Sequence, residues 1–318
     1  MIKNLLGNHW FALVVGSLFV SLSQISHATL IKKDANKGSD LVPTGMGYGV
    51  HSNQAPSIVS NRTLVPQNGI NYHGGPLMGT TTATIPNVYI IWYGNWASNT
   101  ATTLIPTFMS GVGTSPYYHI NSTYVNGSGA PVMPVVHYPV ADAHDNYTYG
   151  THIPSQSYIG NIVANAINNH QLPLDANGIY FVLTSADVYL PGFCSSYCGW
   201  HTYRRINNVN IKYAFIGNAA SQCPNGCTAQ RTSPNGNFGA DGMISVIAHE
   251  LEETVTDPNL NAWYDSFGRE NADKCAWSFG TTHVASNGSK YNMIINGLQL
   301  LIQRNWVNAA GGYCALSY

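Results

Sequence analysis

The sequence has few charged residues. Lysine, arginine, aspartate and glutamate make up 8% of its 318 residues, compared with about 25% in an average globular protein. Uncharged polar residues, glycine and tyrosine must therefore cover most of the surface. Because the formal net charge is −1, the chain lacks the basic surface with which proteins bind phosphate backbones. We therefore expect no nucleic-acid partner.

Long apolar runs are also absent outside the N-terminus. The run Trp10–Leu22 follows Lys3 and, at about thirteen residues, is shorter than the roughly 20 that span a bilayer. The tripeptide SHA at residues 26–28 then matches a small-x-small cleavage site. These features predict a signal peptide over residues 1–28 and a secreted protein, extracellular or periplasmic, with no membrane anchor after cleavage. A retained anchor, the alternative, would require a longer run.

The six cysteines agree with export, since disulfides form and persist in oxidising compartments. Four of them fall in two close pairs, within the segments CSSYC and CPNGC. We predict three disulfides, one set out of fifteen possible pairings. The preferred set is Cys194–Cys198, Cys223–Cys227 and Cys275–Cys314. The alternative for the first four is a zinc site of four thiolates, although such sites usually have C-x2-C spacing.

Strand-like and helix-like patterns alternate along most of the chain. Such alternation predicts a single α/β domain over residues 71–318, with a mixed sheet flanked by helices and with disulfide-stapled loops. Residues 29–70 lack periodicity and are rich in Gly, Asn, Ser and Pro, which predicts a flexible lead-in or a pro-segment. The predicted strands are 86–96, 117–126, 131–140, 178–190 and 211–216, followed by a hairpin over 291–306 with Asn296-Gly297 as its turn. The predicted helices are 102–109, 155–170 and 241–256, and 192–201 is predicted to be irregular.

The helix predicted at 241–256 carries the strongest chemical pattern. Asp241 is its candidate N-cap, and apolar residues recur at helical spacing along one side, which predicts packing across the sheet. His249 and Glu253 lie four residues apart and so share another face, with Glu250 beside them. The pattern His-Glu-x-x-Glu differs by one residue from the His-Glu-x-x-His helix of zinc peptidases. The sequence therefore predicts a zincin-like helix packed on the sheet.

The same helix and the acidic loop after it predict a metal site. His249 and Glu253 would supply two ligands and Glu270 the third, which leaves one position for water. Asp273 and Asp257 would lie around these ligands, and Asp273 would accept the second ring N–H of His249 or orient a neighbour. Zinc is the expected ion. Manganese and calcium are the alternatives, because a carboxylate in place of a second imidazole favours harder ions.

A structural interpretation of these residues stays open beside the metal site. In it, Glu252 and Glu253 would solvate an exposed face of the helix, and Asp257 would cap the turn after it. His201 would be a hydrogen-bonded structural residue, although it could also enter the same cleft as a metal ligand or contact a substrate. Trp263 and Tyr264 lie in a polar loop and could stack on sugar rings as possible substrate contacts.

Several longer motifs follow one another between residues 70 and 318. They are HGGP at 73–76, NVYIIWYGNW at 87–96, GFCSSYCGWH at 192–201, YAFIGN at 213–218, QCPNGC at 222–227, DGMISVIAHELEE at 241–253, TDPNLNAWY at 256–264 and ENADKC at 270–275. In these motifs and in their order the chain resembles the EXORDIUM (phosphate-induced protein 1) family. The resemblance implies an exported, disulfide-bonded protein. It also implies a link to the wall space, where plant members act in cell expansion and growth signalling.

Two functions follow from these patterns. The first is an exported metal-dependent hydrolase, peptidase-like, in which Glu250 is the catalytic base that takes a proton from the bound water. The second is a non-catalytic extracellular or cell-wall binding protein of the EXORDIUM type, associated with carbohydrate, whose fold carries a metal only for structure or none. The expected partner is accordingly an extracellular peptide, a protein or a cell-wall polymer.

Overall fold

The computed structural model describes residues 69–318 and, before them, the backbone of two paired strands, Lys32–Lys33 and Leu41–Val42. The predicted signal peptide over 1–28 and the rest of the lead-in up to residue 68 lie outside the described residues. Among the residues described, none of the helices combines the length and the apolarity that a membrane span needs.

The core of the fold is a mixed sheet of five strands. In chain order the strands are β1 (Asn87–Tyr93), β2 (Asp142–Asp145), β3 (Gly178–Thr184), β4 (Gly199–Ile206) and β5 (Val209–Gly217). Their spatial order is β2-β1-β3-β5-β4, and all neighbours are parallel except the antiparallel edge pair β4 and β5. The central strand β3 is buried along its whole length, as parallel strands covered on both faces are.

Three long helices accompany the sheet. They are α1 (Ala101–Val112), α2 (Ser157–Asn168) and α3 (Phe238–Thr256). The helix α2 lies on the face to which Tyr213 points, since Gly160 of α2 lies beside the hydroxyl of that tyrosine. The helix α3 lies on the other face. His201 of β4 is paired with Ala214, whose side chain points to the face opposite that of Tyr213, and His201 contacts Glu253 of α3 from that face. The predicted α/β architecture, with helices flanking a mixed sheet, is confirmed.

Short elements complete the fold around α3. One helical turn, Pro224–Cys227, precedes it, and there are 3-10 turns at Thr82–Thr84, Tyr118–Thr123 and Asp273–Cys275. Four small antiparallel pairs join Asn71–Tyr72 to Trp263–Tyr264, His283–Val284 to Lys290–Tyr291, Met293–Ile295 to Leu298–Leu300, and Asn305–Val307 to Tyr313–Ala315. The third pair confirms the hairpin predicted around Asn296-Gly297, where both turn residues have positive φ.

Several predicted boundaries are wrong. The segment 117–126 holds the 3-10 turn, not a strand, because its apolar residues pack against α3 and not into a sheet. The segment 131–140 forms only isolated bridges. The strand β4, whose first residues were predicted to be irregular, pairs with β5 through a two-residue turn at Asn207-Asn208. The N-cap of α3 is Asn237, whose side chain accepts from the N–H of Ala240 at 3.0 Å; Asp241 lies inside the first turn.

The disulfides are Cys194–Cys223, Cys198–Cys227 and Cys275–Cys314. The third was predicted correctly, and the predicted pairs Cys194–Cys198 and Cys223–Cys227 are wrong. Each cysteine of the segment CSSYC is bonded to a cysteine of the segment CPNGC. Two disulfides therefore join the two segments side by side. All six cysteines of the sequence are in disulfides, which excludes the zinc site of four thiolates.

Candidate metal centre

The polar residues of α3 lie in the interior of the protein. His249, Glu250, Glu252 and Glu253 are each 0% exposed. The interpretation in which Glu252 and Glu253 solvate an exposed face is therefore wrong. A buried charge is costly unless it is paired or binds a cation, so the groups around these side chains determine what they can do.

The first group of donor atoms joins α3 to the loop that follows it. His249 Nε2 lies 2.9 Å from Glu253 Oε1 and 3.6 Å from Asp273 Oδ1. The spacing of four residues places the first two side chains one turn apart on the same face of the helix. The backbone N–H of Asp273 donates to Glu253 Oε1 at 3.0 Å, which fixes the loop against the helix.

The second group of donor atoms joins α3 to the edge strand β4. His201 Nε2 lies 3.2 Å from each carboxylate oxygen of Glu270. It also lies 3.8 Å from Glu253 Oε2. Glu253 therefore faces both groups, with one oxygen toward each histidine. In each group the donor atoms lie within 4.8 Å of one another, so each could hold a cation.

The predicted ligands are thus divided between two groups. Glu270 lies against His201 and not in the group of His249. His201 was predicted to be structural, with a metal ligand or a substrate contact as the alternatives. Asp273 was predicted to lie around the ligands. Its Oδ1 is 3.6 Å from His249 Nε2, close enough for both atoms to bind the same cation. A side chain 48 residues before His249 carries no signal in the local sequence pattern that would assign it to this cluster.

Gln303 is a further residue of the site that the sequence pattern did not indicate. Its Nε2 lies 2.7 Å from His249 Nδ1 and also donates to the carbonyl oxygen of Ala272 at 3.1 Å. Gln303 is 0% exposed. Because Gln303 contacts Nδ1, the other ring nitrogen, Nε2, is the one that faces Glu253 and Asp273. Gln303 thus orients the imidazole ring.

Burial changes the protonation of the cluster. It raises the pKa of Glu253 to about 7, and repulsion from Asp273 adds to the effect. Burial, followed by repulsion from neighbouring carboxylates, raises the pKa of Glu270 well above its ordinary value. Burial lowers the pKa of His201 to about 3, so its imidazole is neutral and has a lone pair to offer. Burial alone would lower the pKa of His249, but the carboxylates around it raise that pKa.

Several buried polar atoms in the cluster have no hydrogen-bond partner among the described residues. They include both carboxylate oxygens of Glu250, Oε2 of Glu253 and Nδ1 of His201. Buried polar side-chain atoms are nearly always hydrogen-bonded in native proteins. A cation close to these oxygens would satisfy them, and the neutral imidazole and carboxylates suit zinc or manganese.

Glu252 and Asp257 belong to other parts of the interior. Glu252 faces a different side of α3, where its Oε2 accepts from Asn305 Nδ2 at 2.8 Å. Asp257 accepts from the backbone N–H groups of Asn261 and Ala262, at 2.5 and 2.6 Å, and so holds the turn after the helix. Burial raises the pKa of Asp257 to about 8.

The aromatic residues predicted to stack on sugar rings are buried. Trp263 is 8% exposed and Tyr264 2%. The indole N–H of Trp263 donates to the carbonyl oxygen of Val125 at 2.9 Å, and Tyr264 stacks on His73 with ring centroids 3.6 Å apart. Neither ring offers a free face to a substrate, so the expectation of a stacking platform at these two residues does not fit the structure.

Comparison with known proteins gives a consistent picture. Residues 70–296 match the family model described as the phosphate-induced protein 1 conserved region. The chain is 32% identical to Protein EXORDIUM-like 3 of Arabidopsis thaliana over 77% of this chain and 82% of that protein. It is 32% identical to Protein EXORDIUM-like 5 of the same plant, over 61% of this chain and only 59% of the relative's length. Protein PHOSPHATE-INDUCED 1 of Nicotiana tabacum is 32% identical over 28% of this chain and 34% of that protein. No solved structure matches the chain.

Proposed function

The chain belongs to the phosphate-induced protein 1 (EXORDIUM) family, and on that premise we propose a non-catalytic role for it outside the cell. In this proposal the cluster around Glu253 holds a divalent cation that stabilises the fold. Zinc is the expected ion, with manganese and calcium as alternatives. The exposed surface would then bind an extracellular protein, a peptide or a cell-wall polymer.

The observation that carries this proposal is the burial of the donor atoms. His201, His249 and Glu253 are 0% exposed and Glu270 is 1% exposed. A catalytic site needs a cleft through which substrate reaches the metal, with a position open to water. A cavity of about 270 Å³ among the described residues lies elsewhere, next to Trp277 and Phe279.

A structural cation has a clear physical effect at this place. It would connect α3, the edge strand β4 and the loop at residues 270–273, which are far apart in sequence. Its binding energy stabilises only the folded state, because the donors are brought together by folding. The three disulfides fit an extracellular location for such a protein.

One observation supports a second candidate, the metal-dependent hydrolase with a zincin-like helix. Glu250 follows His249 directly and has two carboxylate oxygens with no hydrogen-bond partner among the described residues. This is the position that a general base occupies beside a metal-bound water. The hydrolase would require an opening of the interior that admits a peptide.

Metal analysis combined with a peptide-cleavage screen distinguishes the two candidates. The secreted protein should contain a divalent cation and cleave no peptide. Metal-dependent cleavage that is lost in Glu250→Gln, while the metal content stays unchanged, would overturn the non-catalytic role. A wild-type protein free of divalent cations after equilibration with zinc, manganese or calcium would overturn the metal centre itself.

A further inference from the structure

We propose that the cluster holds two cations, bridged by the carboxylate of Glu253. This inference rests on the proposed metal centre and extends it. The first position is formed by His249, Asp273 and Glu253 Oε1, and the second by His201, Glu270 and Glu253 Oε2. The predicted single site with His249, Glu253 and Glu270 would become a pair of sites.

The distances between donor atoms fit this arrangement. Donor atoms bound at about 2.1 Å to one cation lie roughly 3.0 Å apart at octahedral angles and roughly 3.4 Å apart at tetrahedral angles. In the first position, His249 Nε2 is 2.9 Å from Glu253 and 3.6 Å from Asp273. In the second, His201 Nε2 is 3.2 Å from Glu270 and 3.8 Å from Glu253. The two histidines do not fall into one group of donor atoms within 4.8 Å, so a single cation bound at about 2.1 Å would not reach both.

Glu253 has the geometry of a bridging ligand. Its Oε1 faces the first histidine and its Oε2 the second, so neither oxygen has to leave its place. Oε2 has no hydrogen-bond partner among the described residues and is fully buried. Two-metal centres hold their ions about 3.5–4 Å apart, a separation that a single carboxylate group can span.

The charge of the cluster also favours two cations. The carboxyl groups of Glu253, Glu270 and Asp273 lie in the two groups of donor atoms, and that of Glu250 lies beside them. When these four groups lose their protons to bind metal, two divalent cations balance their charge and one does not. The side chain of Glu250 extends from α3 toward the start of β4, since a Cβ at Gly199 would lie 3.2 Å from Glu250 Oε1.

The test measures how many cations the full-length secreted protein binds after equilibration with manganese or zinc. The wild type should bind two equivalents. His201→Ala and His249→Ala should each bind one, because each variant loses one histidine and keeps the other position. His73→Ala, which removes a half-buried histidine that stacks on Tyr264 outside the cluster, is the matched control and should bind two.

The manganese form adds a readout that a merely structural role would not change. Two manganese ions bridged by one carboxylate should give an exchange-coupled electron paramagnetic resonance spectrum in the wild type. His201→Ala should give the spectrum of an isolated ion. One equivalent in the wild type would overturn the pair while the proposed metal centre stands, and no bound cation would overturn both. Two equivalents without coupling would overturn the bridge. The wild-type measurement decides the question even if a variant fails to fold.

Discussion

At the scale of single residues, the side-chain amide of Gln303 is the group that orients His249. It lies 2.7 Å from His249 Nδ1 and also holds the carbonyl of Ala272. Partners of this kind fix the ring of a metal-binding histidine, and their loss weakens metal affinity 10–100-fold. We therefore expect Gln303→Ala to weaken cation binding by about that factor, as measured by competition with a chromophoric chelator.

The matched control for this prediction is Asn305→Ala. Asn305 is also 0% exposed and donates to a carboxylate of α3 outside the two groups of donor atoms, that of Glu252. This variant should lower stability without changing cation affinity. Equal affinity losses in both variants would mean that Gln303 acts only through general packing.

The residues of the site differ in how far the sequence could reveal them. His249 and Glu253 could be paired from their spacing on one helix, and Glu270 and Asp273 from their concentration in a chain poor in charge. For His201 a ligand role was only the alternative to a structural one, because its position depends on how an edge strand lies across from a helix. No local periodicity encodes such a relation.

At the scale of elements, β4 and α3 approach each other unusually closely at Gly199. A Cβ there would lie 3.0 Å from the carbonyl oxygen of Phe215 and would collide with Val246 of α3. Overpacking of this kind typically costs about 1–3 kcal/mol. We expect Gly199→Ala to lower the free energy of unfolding by about that amount, as measured by urea denaturation.

Gly69→Ala is the control for this change, because a Cβ at Gly69 would have no neighbour within 4 Å. It should leave the free energy of unfolding within about 0.5 kcal/mol of the wild type. A Gly199→Ala variant as stable as this control would show that strand and helix can separate without cost.

The disulfides should differ in how much each contributes to the free energy of unfolding. Cys194–Cys223 and Cys198–Cys227 run in parallel, so each closes only a short loop while the other is intact. Cys275–Cys314 alone closes a loop with a sequence separation of 39. In the chain-entropy model, removing it costs about 4 kcal/mol, and removing one of the parallel pair about 2–3 kcal/mol. Thermal unfolding of Cys275→Ala/Cys314→Ala and Cys198→Ala/Cys227→Ala should show this order.

The opposite order would mean that each of the two neighbouring disulfides stabilises the fold in a way that the other cannot replace.

The pairing of these four cysteines was predicted wrongly for a physical reason. Cysteines close in sequence favour each other only if the chain between them can bend back. Here the one-turn helix Pro224–Cys227 directs its cysteines toward another segment.

The predicted helices and central strands agree with the structure more closely than the edges do. The helix α2 has apolar residues at a period of 3.6, and the strands β1 and β3 are continuous apolar runs. Both patterns can be read directly from the sequence. The edge strand β4 carries polar residues beside the cysteine-rich loop. Its pairing with β5 is decided by the two-residue turn between them.

At the scale of the whole molecule, the proposed cation centre should contribute to global stability. A ligand that binds only the folded state at 100 times its dissociation constant stabilises it by about 2.7 kcal/mol. For a domain of this size, that corresponds to roughly 5–10 °C in the melting temperature. Adding a chelator should therefore lower the melting temperature by about this amount, and adding the cation back should restore it.

The control for chelation is Glu253→Gln, which lacks the shared ligand. Its melting temperature should not respond to the chelator. If the chelator also leaves the melting temperature of the wild type unchanged, then bound cations do not stabilise the fold.

The cystines lie next to the segments that carry the donor atoms. Cys198 precedes His201 by three residues, and Cys275 follows Asp273 by two. Without these disulfides, the segments that carry both sets of donor atoms would be held less firmly. Cation binding should therefore depend on whether the disulfides have formed. In the proposed extracellular role, the protein would bind its ions in an oxidising compartment, where the disulfides form. Refolding in the presence of a reductant, followed by metal analysis, should yield a protein with few bound ions, and full loading under those conditions would contradict the linkage.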